Sequence, residues 1–165
     1  MWYYILALIA FLVDQGTKYV IAKQLEIGQE IPVIGNFFLI TSSRNNGAAF
    51  GILPNQRWFF IVVTFVVVIA IIWYMQKVRK SSSRKLLPVA LSLVLGGAIG
   101  NFLDRAINGE VVDFLMFNFG SYTFPIFNIA DSCIVVGVAL IILDSLIDLN
   151  KPTPESSTEE GNEMV

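Results

Sequence analysis

Residues 58–76, WFFIVVTFVVVIAIIWYMQ, run for nineteen positions without a charge. A helix of that length and apolarity spans the hydrocarbon of a bilayer. Residues 86–103, LLPVALSLVLGGAIGNFL, supply a second run of eighteen. With 15% charged residues among 165, the chain has too little charge for the surface of a water-soluble domain. The sequence therefore specifies an integral membrane protein.

Two further spans are less obvious because charges interrupt them. Residues 3–22 carry Asp14 and Lys18, and residues 126–147 carry Asp131 near their head. The N-terminal run lacks a basic leader and continues past Lys18, so it is expected to be a retained span and not a cleaved signal peptide. The expected fold is an all-α membrane protein with spans at about 3–22, 58–76, 86–106 and 126–147. These form one domain over residues 1–150, followed by an acidic, disordered tail over 151–165. Five of the eleven Lys and Arg stand in residues 77–85, KVRKSSSRK. The positive-inside rule puts this loop and both termini in the cytoplasm.

Two connections then face outward, residues 23–57 and 107–125. The first is long, and its IPVIGNFFLITSS is rich in β-branched and aromatic residues around a Gly35–Asn36 turn signal. A small extracytoplasmic β-rich segment is expected there, between the first and second helices. The second connection is read as a loop, with Pro125 just before the fourth span.

Composition also excludes chemistry. The chain has no histidine and one cysteine, Cys133. That rules out a histidine-based triad, a histidine-ligated zinc and an internal disulfide. A net charge of −2 with no basic stripe gives no footprint for nucleic acid. No metal and no cofactor are expected, and acid–base work would fall to carboxylates, lysine or tyrosine.

The unusual polar residues gather toward one side of the membrane. Asp14 and Lys18 are one helical turn apart, as are Asn101 and Arg105, with Asp104 beside them. Asn128 and Asp131 share a face at the head of the fourth span, and Asp113 and Asn45 belong to the two outer connections. Each has a plain structural reading. Asn128 and Asp131 could cap a helix, Asp14 and Lys18 could be an ion pair, and Arg105 could anchor at the interface. Asp113 could be an ordinary loop carboxylate, Gly96, Gly97 and Gly100 could admit a close helix, and Cys133 could be a small buried apolar residue. Their joint occurrence permits another reading, in which two neighbouring carboxylates share a proton and activate water between them.

The blocks DQGTK (14–18), RNNGAAFG (44–51), GGAIGNFLDRAINGEVVDF (96–114) and FNIAD (127–131) closely resemble, in order, the conserved blocks of the lipoprotein signal peptidase (signal peptidase II) family. The resemblance covers nearly everything but the tail, with no departure at a motif position. It implies a membrane aspartic endopeptidase of the bacterial cell membrane, with its site near the extracytoplasmic face. Its partners would be membrane lipids and a diacylglyceryl-modified prolipoprotein, cut immediately before the lipidated cysteine, and a monomer is expected. By this resemblance Asp113 and Asp131 are the catalytic dyad, and Asn101, Arg105 and Asn128 shape and polarise the site. Asn45 is the asparagine of the outer loop, Asp14 and Lys18 are structural or substrate-positioning, and Asp104 supports Arg105. Two other classes fit the composition: a small transporter with a polar path, and a non-catalytic scaffold held by interhelical polar bonds.

Overall fold

The computed structural model describes residues 2–47, 52–81 and 86–149. Residues 82–85 of the basic stretch, the end of the 44–51 block and the acidic tail therefore lie outside the described residues. Four helices, each long and apolar enough to cross a membrane, carry the chain: α1 (Trp2–Gln24), α2 (Arg57–Ser81), α3 (Leu86–Ile107) and α4 (Ile129–Leu149). Helix α3 lies at the centre, with α1, α2 and α4 packed on it. Its small residues explain why. Ala90, Gly96, Gly97, Ala98 and Gly100 are buried, and they let backbones approach closely where no hydrophobic drive between helices exists. The other helices turn large side chains outward, Trp58, Phe59, Phe65 and Trp73 of α2 among them, as a lipid-facing surface requires.

Between the helices lies a four-stranded antiparallel sheet of order β1-β2-β3-β4, formed by β1 (Glu30–Ile34), β2 (Phe38–Asn45), β3 (Val111–Phe119) and β4 (Tyr122–Phe127). It caps the end of the bundle where α1 and α3 finish and α2 and α4 begin. This corrects the expected architecture in two ways. The β structure is not confined to the connection between α1 and α2, because the second connection supplies half the sheet. Asp113 accordingly stands on a strand, opposite Ser43 of β2. The fourth helix also starts at Ile129 and not near 126, since Pro125, Ile126 and Phe127 belong to β4. The physical reason is that an apolar run such as TFPIF has the hydropathy of a helix start while being too short to declare its period. Pro125 is tolerated because β4 is an edge strand.

The sheet is fastened to the bundle through β3. Val111, Val112, Asp113 and Phe114 are all buried, and Val112 and Phe114 pack with Ile21 near the end of α1. Farther along, Phe38, Phe117 and Phe127 stack at ring separations of 4.7 and 5.8 Å.

The α3–α4 contact is tight enough to test. A Cβ at Gly97 would collide with the carbonyl oxygen of Ala130 and reach Ile134 Cγ1 at 3.0 Å, whereas one at Gly16 meets nothing. Gly97→Ala is therefore expected to destabilise by about 1–3 kcal/mol, the usual cost of overpacking. Gly16→Ala should be neutral or mildly stabilising. Thermal unfolding of the two variants in one detergent checks the contrast.

Candidate active site

Helix α4 begins with an asparagine cap. Asn128 Oδ1 accepts the Asp131 N–H at 2.9 Å, and Asp131 Oδ2 accepts the Asn128 N–H at 3.2 Å. This reciprocal arrangement satisfies orphan donors at both ends of the turn. The capping reading of Asn128 and Asp131 is thus borne out in the geometry. It does not exhaust them, since Asn128 Nδ2 still donates to Asp113 Oδ1 at 2.6 Å and Asp131 Oδ1 still accepts from Asn101 Nδ2 at 2.8 Å.

Asp113 reaches this point from β3. Period-two alternation puts it on the face shared by Ser43 and Asn45, its direct and diagonal neighbours on β2. Asn45 Nδ2 donates to Asp113 Oδ2 at 3.0 Å. Both carboxylate oxygens of Asp113 are therefore met by amide donors, and the residue is only 3% exposed. That burial, with the nearby charge of Asp131 second, pushes the Asp113 carboxyl up to about 6; the bonds from Asn45 and Asn128 and the charge of Lys18 act in the opposite sense.

Below the two aspartates lies an ionic cluster. Lys18 Nζ pairs with Asp14 Oδ2 and Asp104 Oδ2, each at 2.8 Å, and donates to Asn101 Oδ1 at 2.8 Å. The expected pair Asp14–Lys18 is present and buried. Asp104, expected beside Arg105, makes its ion pair with Lys18. Asp14 also accepts the Ala130 N–H at 2.8 Å, tying α1 to the first turn of α4. Gln15 completes the cluster, its Nε2 lying 3.1 Å from Asp104 Oδ1 and 3.2 Å from the Gly100 carbonyl oxygen. Sequence reasoning passed over Gln15. Its signals were adjacency to Asp14 and its place in the DQGTK block.

Arg105 closes the opposite side. Its Nη2 donates to the Gly47 carbonyl at 2.8 Å, and its guanidinium lies over the Phe60 ring at 5.0 Å. The Gly47 N–H in turn donates to Asn45 Oδ1 at 2.9 Å. Among the described residues, no group of three or more Asp, Glu or Cys side chains is placed to hold a metal. A depression of about 540 Å³, lined by Ser43, Arg44, Asn45, Asn46, Tyr122 and Pro125 among others, opens onto Asp113 from the sheet. The structure thus brings Asp14, Lys18, Asn45, Asn101, Asp104, Arg105, Asp113, Asn128 and Asp131 into one continuous polar network at one end of the bundle.

Residues 6–147 match the family described as Signal peptidase (SPase) II. The lipoprotein signal peptidase of Bacillus pumilus (strain SAFR-032) is 54% identical over 158 residues, 96% of this chain and 100% of that protein. That of Bacillus subtilis (strain 168) is 50% identical over 155 residues, 94% of this chain and 99% of its own length. A solved structure of a bacterial membrane enzyme, determined by the in meso method at 2.3 Å resolution, superposes with a TM-score of 0.83 at 43% identity, covering 91% of this chain and 90% of that one. The chain belongs to the signal peptidase II family.

Proposed function

We propose that this enzyme cuts the signal peptide from diacylglyceryl-modified prolipoproteins by an aspartic mechanism in which Asp131 is the base and Asp113 holds the shared proton. The observation that carries the reading is the position of Asn128. Its amide bonds Asp113 Oδ1 and the backbone of Asp131 at once, holding two carboxyl groups from different elements at one point.

The division of roles follows from what surrounds each carboxyl group. Asp131 accepts the Asn101 amide and the Asn128 N–H at the N-terminus of α4, where the helix dipole favours a negative charge. Asp113 is buried on a strand, and its carboxyl is raised to about 6. Asp131 then takes a proton from water as the oxygen attacks the scissile carbonyl carbon, and Asp113 gives its proton to the carbonyl oxygen. The resulting tetrahedral diol collapses when Asp131 passes its proton to the departing nitrogen and Asp113 recovers one from a hydroxyl. The C–N bond breaks, leaving a new carboxyl on the signal peptide and a free amine on the lipidated cysteine. Each aspartate ends as it began.

The same reading assigns a side. The basic stretch 77–85, which runs from the last residues of α2 to the start of α3, favours the cytoplasm, which puts the sheet and the dyad at the extracytoplasmic surface. Exposed Ile27, Ile31, Val33, Ile34 and Phe37 on and beside β1 suit that interface. The depression over Asp113 would admit the chain that follows the lipidated cysteine.

Purified protein in detergent is expected to cleave a diacylglyceryl-modified prolipoprotein before the modified cysteine. Asp113→Asn and Asp131→Asn should each lower kcat by at least about a thousandfold while leaving the protein inserted. A loss of only a few-fold at both positions would sink the assignment. An intact wild type that cleaves nothing would turn attention to ion flux in proteoliposomes.

The pH dependence has a definite sign. Above the upper pKa of the dyad the shared proton is lost, and below the lower one both carboxyls are protonated, so activity is bell-shaped. Since burial pushes the Asp113 carboxyl up to about 6, kcat/KM should decline as pH rises beyond about 6. A profile flat from mildly acidic to alkaline pH would contradict a shared proton.

A further inference from the structure

An asparagine side chain can present either its oxygen or its NH2 group to a neighbour, and only its other partners decide which. At Asn101 the decision is made by Lys18. The ammonium has three hydrogens and no acceptor, and it faces three oxygens at 2.8 Å: Asp14 Oδ2, Asp104 Oδ2 and Asn101 Oδ1. Its donors are thereby fully used, and Lys18 is 3% exposed, so no hydrogen is left for substrate. What remains is its effect on Asn101. With Oδ1 held by the ammonium, Nδ2 must point the other way, and there it donates to Asp131 Oδ1 at 2.8 Å. Besides Lys18, the contact that favours this orientation is the Asn128 Nδ2 bond to Asn101 Oδ1, longer at 3.3 Å.

We infer that Lys18 is a positioning residue for Asp131, acting through the Asn101 amide to keep a hydrogen-bond donor on the carboxylate that activates water. The inference rests on the aspartic reading given above. Without the ammonium, Asn101 is free to turn its oxygen toward Asp131. The carboxylate would lose a donor and gain a facing acceptor, which favours its protonated form. A protonated Asp131 is no base.

The charged and titratable groups around Asp131 are Asp14 and Lys18 of α1, Asp104 and Arg105 of α3, and Asp113 of β3, with the Cys133 thiol on its own helix. A simple loss of positive charge could therefore imitate the effect of a turned amide. A double-mutant cycle separates the two.

The experiment measures kcat, KM and the pH profile of cleavage for wild type, Lys18→Met, Asn101→Ala and the double variant, with thermal unfolding alongside. Lys18→Met should lower kcat about a hundredfold with KM nearly unchanged, as expected for an interaction made in the transition state. It should move the acidic limb of kcat/KM to higher pH by about one unit. In the Asn101→Ala background the same change should lower kcat no further. Losses that multiply, a loss confined to KM or an unmoved acidic limb would each overturn the inference while leaving the dyad standing. A wild type that does not cleave overturns the parent reading and this one together.

Lys18→Met leaves Asp14 and Asp104 buried around a missing cation, and this can prevent folding. The comparison is therefore repeated in an Asp104→Asn background, where one of the two carboxylates has been removed. The same hundredfold effect on kcat and the same shift of the acidic limb are expected. Failure of that pair to fold would make Lys18 a structural residue and overturn the inference.

Discussion

The ammonium of Lys18, bonded at 2.8 Å to two carboxylates and one amide oxygen, is the contact on which the rest of the polar end depends. It joins α1 to α3, and through Asp14 the same cluster reaches the backbone of α4. Two carboxylates around one ammonium leave the cluster short of positive charge. The N-terminus of α4 supplies part of the difference through the Ala130 N–H and the dipole behind it, and Gln15 adds a neutral donor. Replacing any one of these groups leaves another stranded away from water, which costs more than the lost contact itself. Gly100 belongs to the same constraint, because a Cβ there would collide with Asp14 Oδ2. A stripe of small residues on α3 thus serves the charges as well as the packing.

Three asparagines carry this rigidity to Asp113 and Asp131. In each, a donor elsewhere fixes the amide oxygen: Lys18 for Asn101, the Asp131 N–H for Asn128, and the Gly47 N–H for Asn45. The NH2 groups are then directed at aspartates, one at Asp131 and two at Asp113. Side-chain amides donate without adding charge, and a cation placed directly on Asp113 would draw off the proton that the proposed mechanism gives it. The cations stand one step back. Lys18 acts through Asn101, and Arg105 through the Gly47 peptide that binds Asn45.

Much of this was legible in the sequence, and what was missed has identifiable physical causes. Helices α2 and α3 declared themselves by length and hydropathy, α1 and α4 emerged despite the charges that interrupt them, and the one-turn spacings placed Asp14 with Lys18 and Asn128 with Asp131. At the head of α4 the cap is present, and it leaves Asp131 Oδ1 to Asn101 and Asn128 Nδ2 to Asp113, so the proposed catalytic pair and the cap are compatible. Strands β3 and β4 went unread because Asp113 interrupts an otherwise β-like run and because FPIF has the hydropathy of a membrane span. The partner of Asp104 could not be read either. Adjacency suggested Arg105, but neighbours in a helix point about 100° apart, and Asp104 turns toward α1 while Arg105 turns toward Gly47 and Phe60.

The distribution of polarity along the bundle also bears on the transport reading. A proton or ion path needs polar groups at successive depths. Below Asn101, α3 presents Ala98, Gly97, Gly96, Leu95 and Val94 to its neighbours, and Ala7, Met75, Leu91 and Leu95 pack into an apolar core at that level. Ser92 is buried there too, but its hydroxyl is spent on the Pro88 carbonyl at 2.7 Å within its own helix. The next buried charge among the described residues is Asp144 of α4, thirteen positions beyond Asp131 and so roughly 20 Å away along the helix. An apolar plug of that thickness seals the polar end from the far side of the membrane. It also keeps the dielectric low beneath Asp113 and Asp131, and low dielectric is the condition that the proposed shared proton requires.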